Sequence, residues 1–325
     1  MEFKKSILLI CYNRPIHTLH VLDKIMEQSP KNLYVFQDLP CDKKKIQQVQ
    51  LCGKVQMLVQ QAIAGTETQL HYMRPKQHMG CGLGPVMAMN WFFAENEMGI
   101  ILEDDAVPHA DFFEYAATLL ERYKDDDRVR AIGSMHLDER SYGDGSYYFS
   151  MMNRTLCAWA TWRRAWADFD MYHRNVTREQ LNGILKQDYG CPLRMREYWC
   201  EKLAEVQKDA YYHTSWDMQF WISIWLHRGC GIMPNVNLCT NIGFDGSGVH
   251  TWDSTSSGAN RPTQGILPLK HPSDTRINNE ADRRFQAIYF EPWQYGIKGL
   301  KRLPYRINRR LKRWLGIEGS WINKK

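Results

Sequence analysis

The chain has 325 residues, of which 44% are apolar, 12% aromatic and 24% charged, a balance that excludes disorder, collagen-like repeats and a chain buried mainly in lipid. Its formal charge of +6 is uneven. Residues 296–325 hold ten Lys or Arg against one Glu, which leaves the preceding 295 residues at −3, without the general basic surface that a nucleic acid requires.

Ile7 to Cys11 reads as a buried first strand, because this apolar run is too short for a secretory leader and stops at Asn13-Arg14-Pro15. Ile16, Leu19, Leu22 and Met26 recur at helical spacing over Pro15 to Glu27, and Lys31-Asn32 turns into a second strand, Leu33 to Phe36. Ile46, Val49, Val55, Leu58, Val59 and Ile63 predict a helix closed by Gly65, followed by a third strand at Gln69 to Tyr72. A helix from about Leu83 to Asn96 leads into a fourth strand, Gly99 to Leu102. Strands alternating with helices predict an α/β fold with a parallel sheet. Residues 130–225 are rich in Trp and Tyr, with a strand at Ala131-Ile132 and helices around Arg163 to Phe169, Tyr198 to Lys208 and Trp216 to His227. Residues 251–275, rich in Ser, Gly, Asn and Pro, read as a long mobile loop. Nine cysteines without a CxxC pair fit reduced thiols in a cytoplasmic protein, and no run approaches the roughly 20 apolar residues of a spanning helix.

The fourth strand ends in Glu103-Asp104-Asp105. Three adjacent carboxylates repel one another, so the arrangement is costly unless a cation or the hydroxyls of a ligand offset the repulsion. Hard oxygen donors favour Mg²⁺ or Mn²⁺, with diphosphate oxygens and water completing the shell. A solvated acidic turn, or charges at the start of the helix near Pro108 to Glu114, is the alternative. Gly80-Cys81-Gly82-Leu83-Gly84 is not a dinucleotide fingerprint, since its last glycine would fall at Pro85, and a Walker loop is absent.

Several further stretches keep a specific order: Tyr12-Asn13-Arg14-Pro15, Gln37-Asp38, Gly82-Leu83-Gly84 before Trp91-Phe92-Phe93, Glu103-Asp104-Asp105 through Asp111-Phe112-Phe113-Glu114-Tyr115, Trp216-Asp217, and Asn241-Ile242-Gly243-Phe244 before Val249-His250-Thr251. Over about residues 5–252 this order resembles the GT-A nucleotide-sugar glycosyltransferases, in particular the N-acetylglucosaminyltransferase I-like family and its bacterial relatives. The resemblance implies a Rossmann-like, mostly parallel sheet flanked by helices, in a catalytic domain over 1–275. Its nucleotide half would cover about 1–130 and its acceptor half 131–275, with a basic helical tail over 276–325.

It also implies roles. Asp105 would be the direct metal ligand, with Glu103 and Asp104 reaching hydroxyls of the donor's ribose and sugar. Tyr12 would stack on the base, Asn13 would hydrogen-bond, and Arg14 would face a phosphate unless it is only a helix-start charge. Asp38 resembles the acid that accepts the uracil imide N–H, or else is an ordinary turn residue before Leu39-Pro40. Gly82 would let the backbone pass close to the donor sugar, or simply turn the chain into a helix. Asp217 matches the region that supplies the general base, although the resembling enzymes often carry two acids there; a helix-start charge with Ser215 capping is the alternative. His250 would touch metal or diphosphate, or lie on a surface loop, and Trp159 would offer an acceptor-sugar platform among aromatics that mostly build core.

Together these imply an inverting transfer from a UDP-sugar to a glycan or lipid-linked glycan, such as a surface polysaccharide or lipopolysaccharide. Ile307, Leu311, Trp314 and Leu315 lie on one face of a helix ringed by Arg306, Arg309, Arg310, Lys312 and Arg313, a pattern for an anionic membrane surface or for packing on the protein itself. Two rivals stand beside this reading. One is a nucleotidyltransferase of a nucleotide-sugar pathway, although Cys11-Tyr12-Asn13-Arg14 lacks the usual basic Gly-rich loop. The other is an inactive carbohydrate-binding homologue, against which the intact Asp105 and Asp217 count.

Overall fold

The computed structural model describes residues 4–42, 44–152, 157–208, 215–246 and 259–289. The first half alternates β1 (Ile7–Cys11), α1 (Pro15–Met26), β2 (Asn32–Gln37), α2 (Ile46–Ile63), β3 (Gln69–Met73), α3 (Gly80–Glu95) and β4 (Met98–Glu103). Short β5 (Ala106–Pro108) and α4 (Asp111–Arg122) follow, then β6 (Val129–Gly133), β7 (Tyr147–Ser150), β8 (Ala158–Trp162) and α5 (Arg163–Trp166). The chain continues through α6 (Arg178–Gln187), α7 (Leu193–Gln207), α8 (Asp217–Leu226), β9 (Cys230–Pro234), β10 (Cys239–Asn241) and α9 (Asn279–Tyr289).

Eight strands form one sheet in the order β3-β2-β1-β4-β8-β6-β9-β7. Only β7 and β8 run against the rest, so the sheet is mostly parallel and helices connect its strands, as an α/β fold requires. β1 and β4 are adjacent and in register from Ile7 opposite Ile100 to Ile10 opposite Glu103. Both strands therefore deliver their following loops to the same edge. Ile7, Leu8, Leu9, Ile100, Ile101 and Leu102 are fully buried, the continuous apolar runs expected of strands covered on both faces. Gly99, the second residue of β4, is a glycine where a Cβ would lie 2.3 Å from Phe92 Cζ and 2.9 Å from the Ser6 carbonyl.

Two expectations need correction. Helix α3 begins at Gly80 rather than near Leu83, because the carboxylate of Asp38 accepts the backbone N–H groups of Met79 and Gly80 from across the loop. The segment expected to be mobile is pinned over its described part, residues 259–275. Gln264 N donates to Asn237 O at 2.9 Å, Ile266 N to Asp111 Oδ2 at 2.8 Å, and Ser146 N to Lys270 O at 2.7 Å.

The chain divides into two compact units, Met1–Asn279 and Glu280–Lys325. The sheet belongs to the first; of the second, only the continuation of α9 is described. The basic amphipathic helix predicted over 304–316 lies outside the described residues. Among the described residues, no helix is long and apolar enough to cross a membrane.

Candidate functional site

The acid triplet sits at the C-terminal end of β4, beside the loop that leaves β1, the edge at which open α/β sheets place their ligands. Asp104 and Asp105 are buried and Glu103 is half-buried. Arg14, from the β1 loop, bridges the two aspartates: its Nη1 donates to Asp105 Oδ2 at 2.9 Å and its Nη2 to Asp104 Oδ1. The second oxygen of Asp104 accepts the Tyr12 backbone N–H at 3.3 Å. Asp105 Oδ1 is occluded and has no hydrogen-bond partner among the described residues.

β10 closes the pair from above. It pairs antiparallel with β5, and the next residue, Ile242, donates its N–H to the Asp105 carbonyl at 2.9 Å. Gly243 then packs against the ion pair so closely that a Cβ would lie 2.2 Å from Asp105 Oδ2 and 3.1 Å from Arg14 Nη1. Asn241 Oδ1 holds the Gly243 N–H at 2.8 Å. A side chain here could be seated only by moving the Asp105 carboxylate.

The crowding of negative charge shifts the proton affinities of these groups. Burial, then Asp105 and Asp104, push the Glu103 carboxyl up to about 8. Burial also raises Asp105, against the opposing pull of Arg14. Burial disfavours the charge on Arg14, yet Asp104 and Asp105 outweigh it and hold the guanidinium above its ordinary value.

Among the described residues no group of three or more His, Cys, Asp or Glu is arranged to hold a metal by itself. The residues present nonetheless fit a hard divalent ion of the kind that keeps one or two protein carboxylates and takes its other oxygens from phosphate and water. Asp105 supplies the unpartnered carboxylate oxygen such an ion would take.

The other predicted residues are distributed as follows. Tyr12 is half-buried on the β1 loop, its ring 5.4 Å from that of His78, and its hydroxyl accepts the Cys41 N–H at 3.2 Å; burial raises it to about 12. Asn13 is half-buried beside it. Gly82 is buried in the first turn of α3. Asp217 opens α8, half-buried, accepts from the Ser215 hydroxyl, and is close enough to Glu103 to add to its upward shift. Ser215 is thus a partner of the carboxylate rather than a cap: the residue preceding the helix is Trp216, with no capping side chain. The loop histidine, His250, lies outside the described residues.

Asp38 is committed to the fold. Its Oδ1 accepts from Leu39 N at 2.8 Å and Met79 N at 3.0 Å, its Oδ2 from Gly80 N at 2.8 Å, and His78 Nδ1 lies 2.9 Å from that same Oδ2. These contacts occupy most of the acceptor capacity that a base N–H would need. Trp159 is a correction. It is fully buried within β8, stacked against Trp216 at 5.5 Å and tilted against Phe220 at 5.7 Å, so its ring is not presented as a sugar platform. Sequence reasoning assigned no role to Gly243 or His78. Only the close approach of chain segments far apart in sequence reveals them.

No family model and no curated protein matches the chain. Solved structures match it only at low similarity. One is HddC from Yersinia pseudotuberculosis, at 8% identity and TM-score 0.31, over 51% of this chain and 80% of that one. Another is a UDP-glucose pyrophosphorylase complexed with UDP-glucose, at 10% identity and TM-score 0.34, over 71% and 90%. A third is the 4-diphosphocytidyl-2C-methyl-D-erythritolsynthase from Anaerococcus prevotii DSM 20548, at 8% identity and TM-score 0.31, over 50% and 74%. Likeness at this level says nothing about the chemistry of this chain.

Proposed function

We propose that this chain is a metal-dependent, inverting glycosyltransferase that moves a sugar from a UDP-sugar to a hydroxyl of a glycan acceptor, a surface polysaccharide or lipopolysaccharide. The reading rests on one observation: an acid triplet at the carboxyl end of a central strand, bridged by an arginine from the neighbouring strand's loop, with one buried carboxylate oxygen unpartnered. When bound at Asp105, Mn²⁺ or Mg²⁺ would neutralise charge developing on the departing diphosphate. Glu103 and Asp104 offer acceptors to hydroxyls of the donor, and Arg14 offers paired donors to phosphate. Tyr12 and Asn13 line the loop where the nucleoside would lie.

Asp217 is the proposed base. The acceptor oxygen bonds to the anomeric carbon as the bond to the diphosphate oxygen breaks; the hydroxyl proton passes to the Asp217 carboxylate, and the electron pair leaves on the diphosphate. The donated Ser215 hydrogen bond orients that carboxylate. The basic C-terminal segment is proposed to hold the protein against anionic lipid, near lipid-linked acceptors.

Nucleotidyl transfer in a nucleotide-sugar pathway is the second reading, the kind of reaction that a UDP-glucose pyrophosphorylase, one of the similar solved structures, is named for. One assay separates the two. A panel of nucleotide sugars, incubated with protein and Mn²⁺, should release nucleoside diphosphate, at least a hundredfold more slowly in Asp217→Asn and in Asp105→Ala. Release of pyrophosphate from UTP and a sugar 1-phosphate, with no UDP released from UDP-sugars, would select the nucleotidyltransferase.

A further inference from the structure

A full positive charge is already seated where the proposed function places a divalent ion. The Arg14 guanidinium is mostly buried and donates to Asp104 and Asp105 at once, each through a separate nitrogen. The Asp105 backbone is held, because Ile242 N donates to its carbonyl at 2.9 Å, and Gly243 lies close against its Oδ2. A dication taking the free oxygen of the same carboxylate would stand within a few ångströms of the guanidinium, and like charges so close repel strongly away from bulk water. Of the groups involved, Arg14 is the one with a flexible side chain. The planar fork that fits two carboxylates also fits phosphate oxygens bidentately.

We propose that Arg14 is the resident counter-cation of the acid pair and is exchanged on binding: divalent ion and nucleoside diphosphate enter together, and the guanidinium passes from Asp105 to a phosphate. The proposal rests on the glycosyltransferase reading and deepens it by assigning an order to its ligands. Without diphosphate the arginine has nowhere favourable to go, so metal binds poorly; with diphosphate the two ligands favour each other reciprocally. No bond to carbon or phosphorus changes in this step.

The test measures Mn²⁺ binding to the full chain by electron paramagnetic resonance, without turnover, with and without UDP, in wild type, Arg14→Met and Arg14→Lys. In wild type, UDP should tighten Mn²⁺ binding at least tenfold. Arg14→Met should bind Mn²⁺ alone at least tenfold more tightly than wild type, bind UDP alone more weakly, and lose most of the tightening by UDP. Arg14→Lys keeps the charge but can hold only one carboxylate, so it should bind Mn²⁺ alone more tightly than wild type and less tightly than Arg14→Met. If removing the guanidinium leaves the acids too repulsive for folding, the lysine variant decides by the same comparison. Mn²⁺ alone binding to the folded Arg14 variants no more tightly than to wild type, while Mn²⁺ with UDP still binds in an Asp105-dependent way, overturns the exchange and spares the glycosyltransferase reading. Absence of any Mn²⁺-dependent or Asp105-dependent UDP binding in wild type removes both.

Discussion

At the scale of single residues, the site is a problem of charge in a confined space. Glu103 titrates near 8 because burial and two neighbouring aspartates disfavour its anion. Its raised value means that the folded protein holds a proton between about pH 4.5 and 8 that the unfolded chain has released, so this residue makes stability fall as pH rises through that window. Glu103→Gln should therefore flatten the loss of melting temperature between pH 5 and pH 8, gaining most over wild type at the alkaline end. Gly243 is the steric counterpart. Gly243→Ala would place a methyl 2.2 Å from Asp105 Oδ2, so it should weaken Mn²⁺-dependent UDP binding at least tenfold, measured by calorimetry, with the cooperative unfolding transition retained. The cost of adjacent carboxylates is readable from Glu103-Asp104-Asp105 alone. Their pairing with Arg14, 91 positions from Asp105, is not, because nothing local in sequence records which loop will arrive.

At the scale of elements, the alternation of β1 through β4 with α1 through α3 is legible because apolar periodicity and turn residues agree along that stretch. The second half is less so. β8 reads Ala-Trp-Ala-Thr-Trp and is buried on both faces, so it carries no alternation to betray a strand. Aromatics there pack into core, which is why Trp159 is not on the acceptor side where its sequence context suggested it. Asp38 ties β2 to the start of α3, a helix end whose preceding residue, Met79, offers no cap of its own. Asp38→Ala leaves those N–H groups without their acceptor and should cost about 1–3 kcal/mol in urea unfolding. Asp38→Asn keeps an acceptor oxygen and should cost less. A variant that kept its stability but lost its preference for uridine would instead return Asp38 to base recognition.

At the scale of the whole molecule, charge is partitioned. Residues 1–295 sum to −3 while residues 296–325 carry +9. Each basic residue near an anionic surface contributes about 1 kcal/mol to attraction, so replacing Arg306, Arg309, Arg310, Lys312 and Arg313 together with Gln should lower binding to phosphatidylserine-containing vesicles at least tenfold. Neutral vesicles should bind both proteins equally weakly, and equal flotation of the two on anionic vesicles would sink the membrane proposal. Local periodicity and composition were enough to establish the α/β class, the strand that ends in acids and the separation of charge. Folding in three dimensions decided which cation meets those acids, that Asp38 accepts the N–H groups at the start of α3, that Trp159 is buried in core and that Gly243 lies against the Asp105 carboxylate. Each of those is set by contact between distant segments, and contact energy has no signature in the residues taken one stretch at a time.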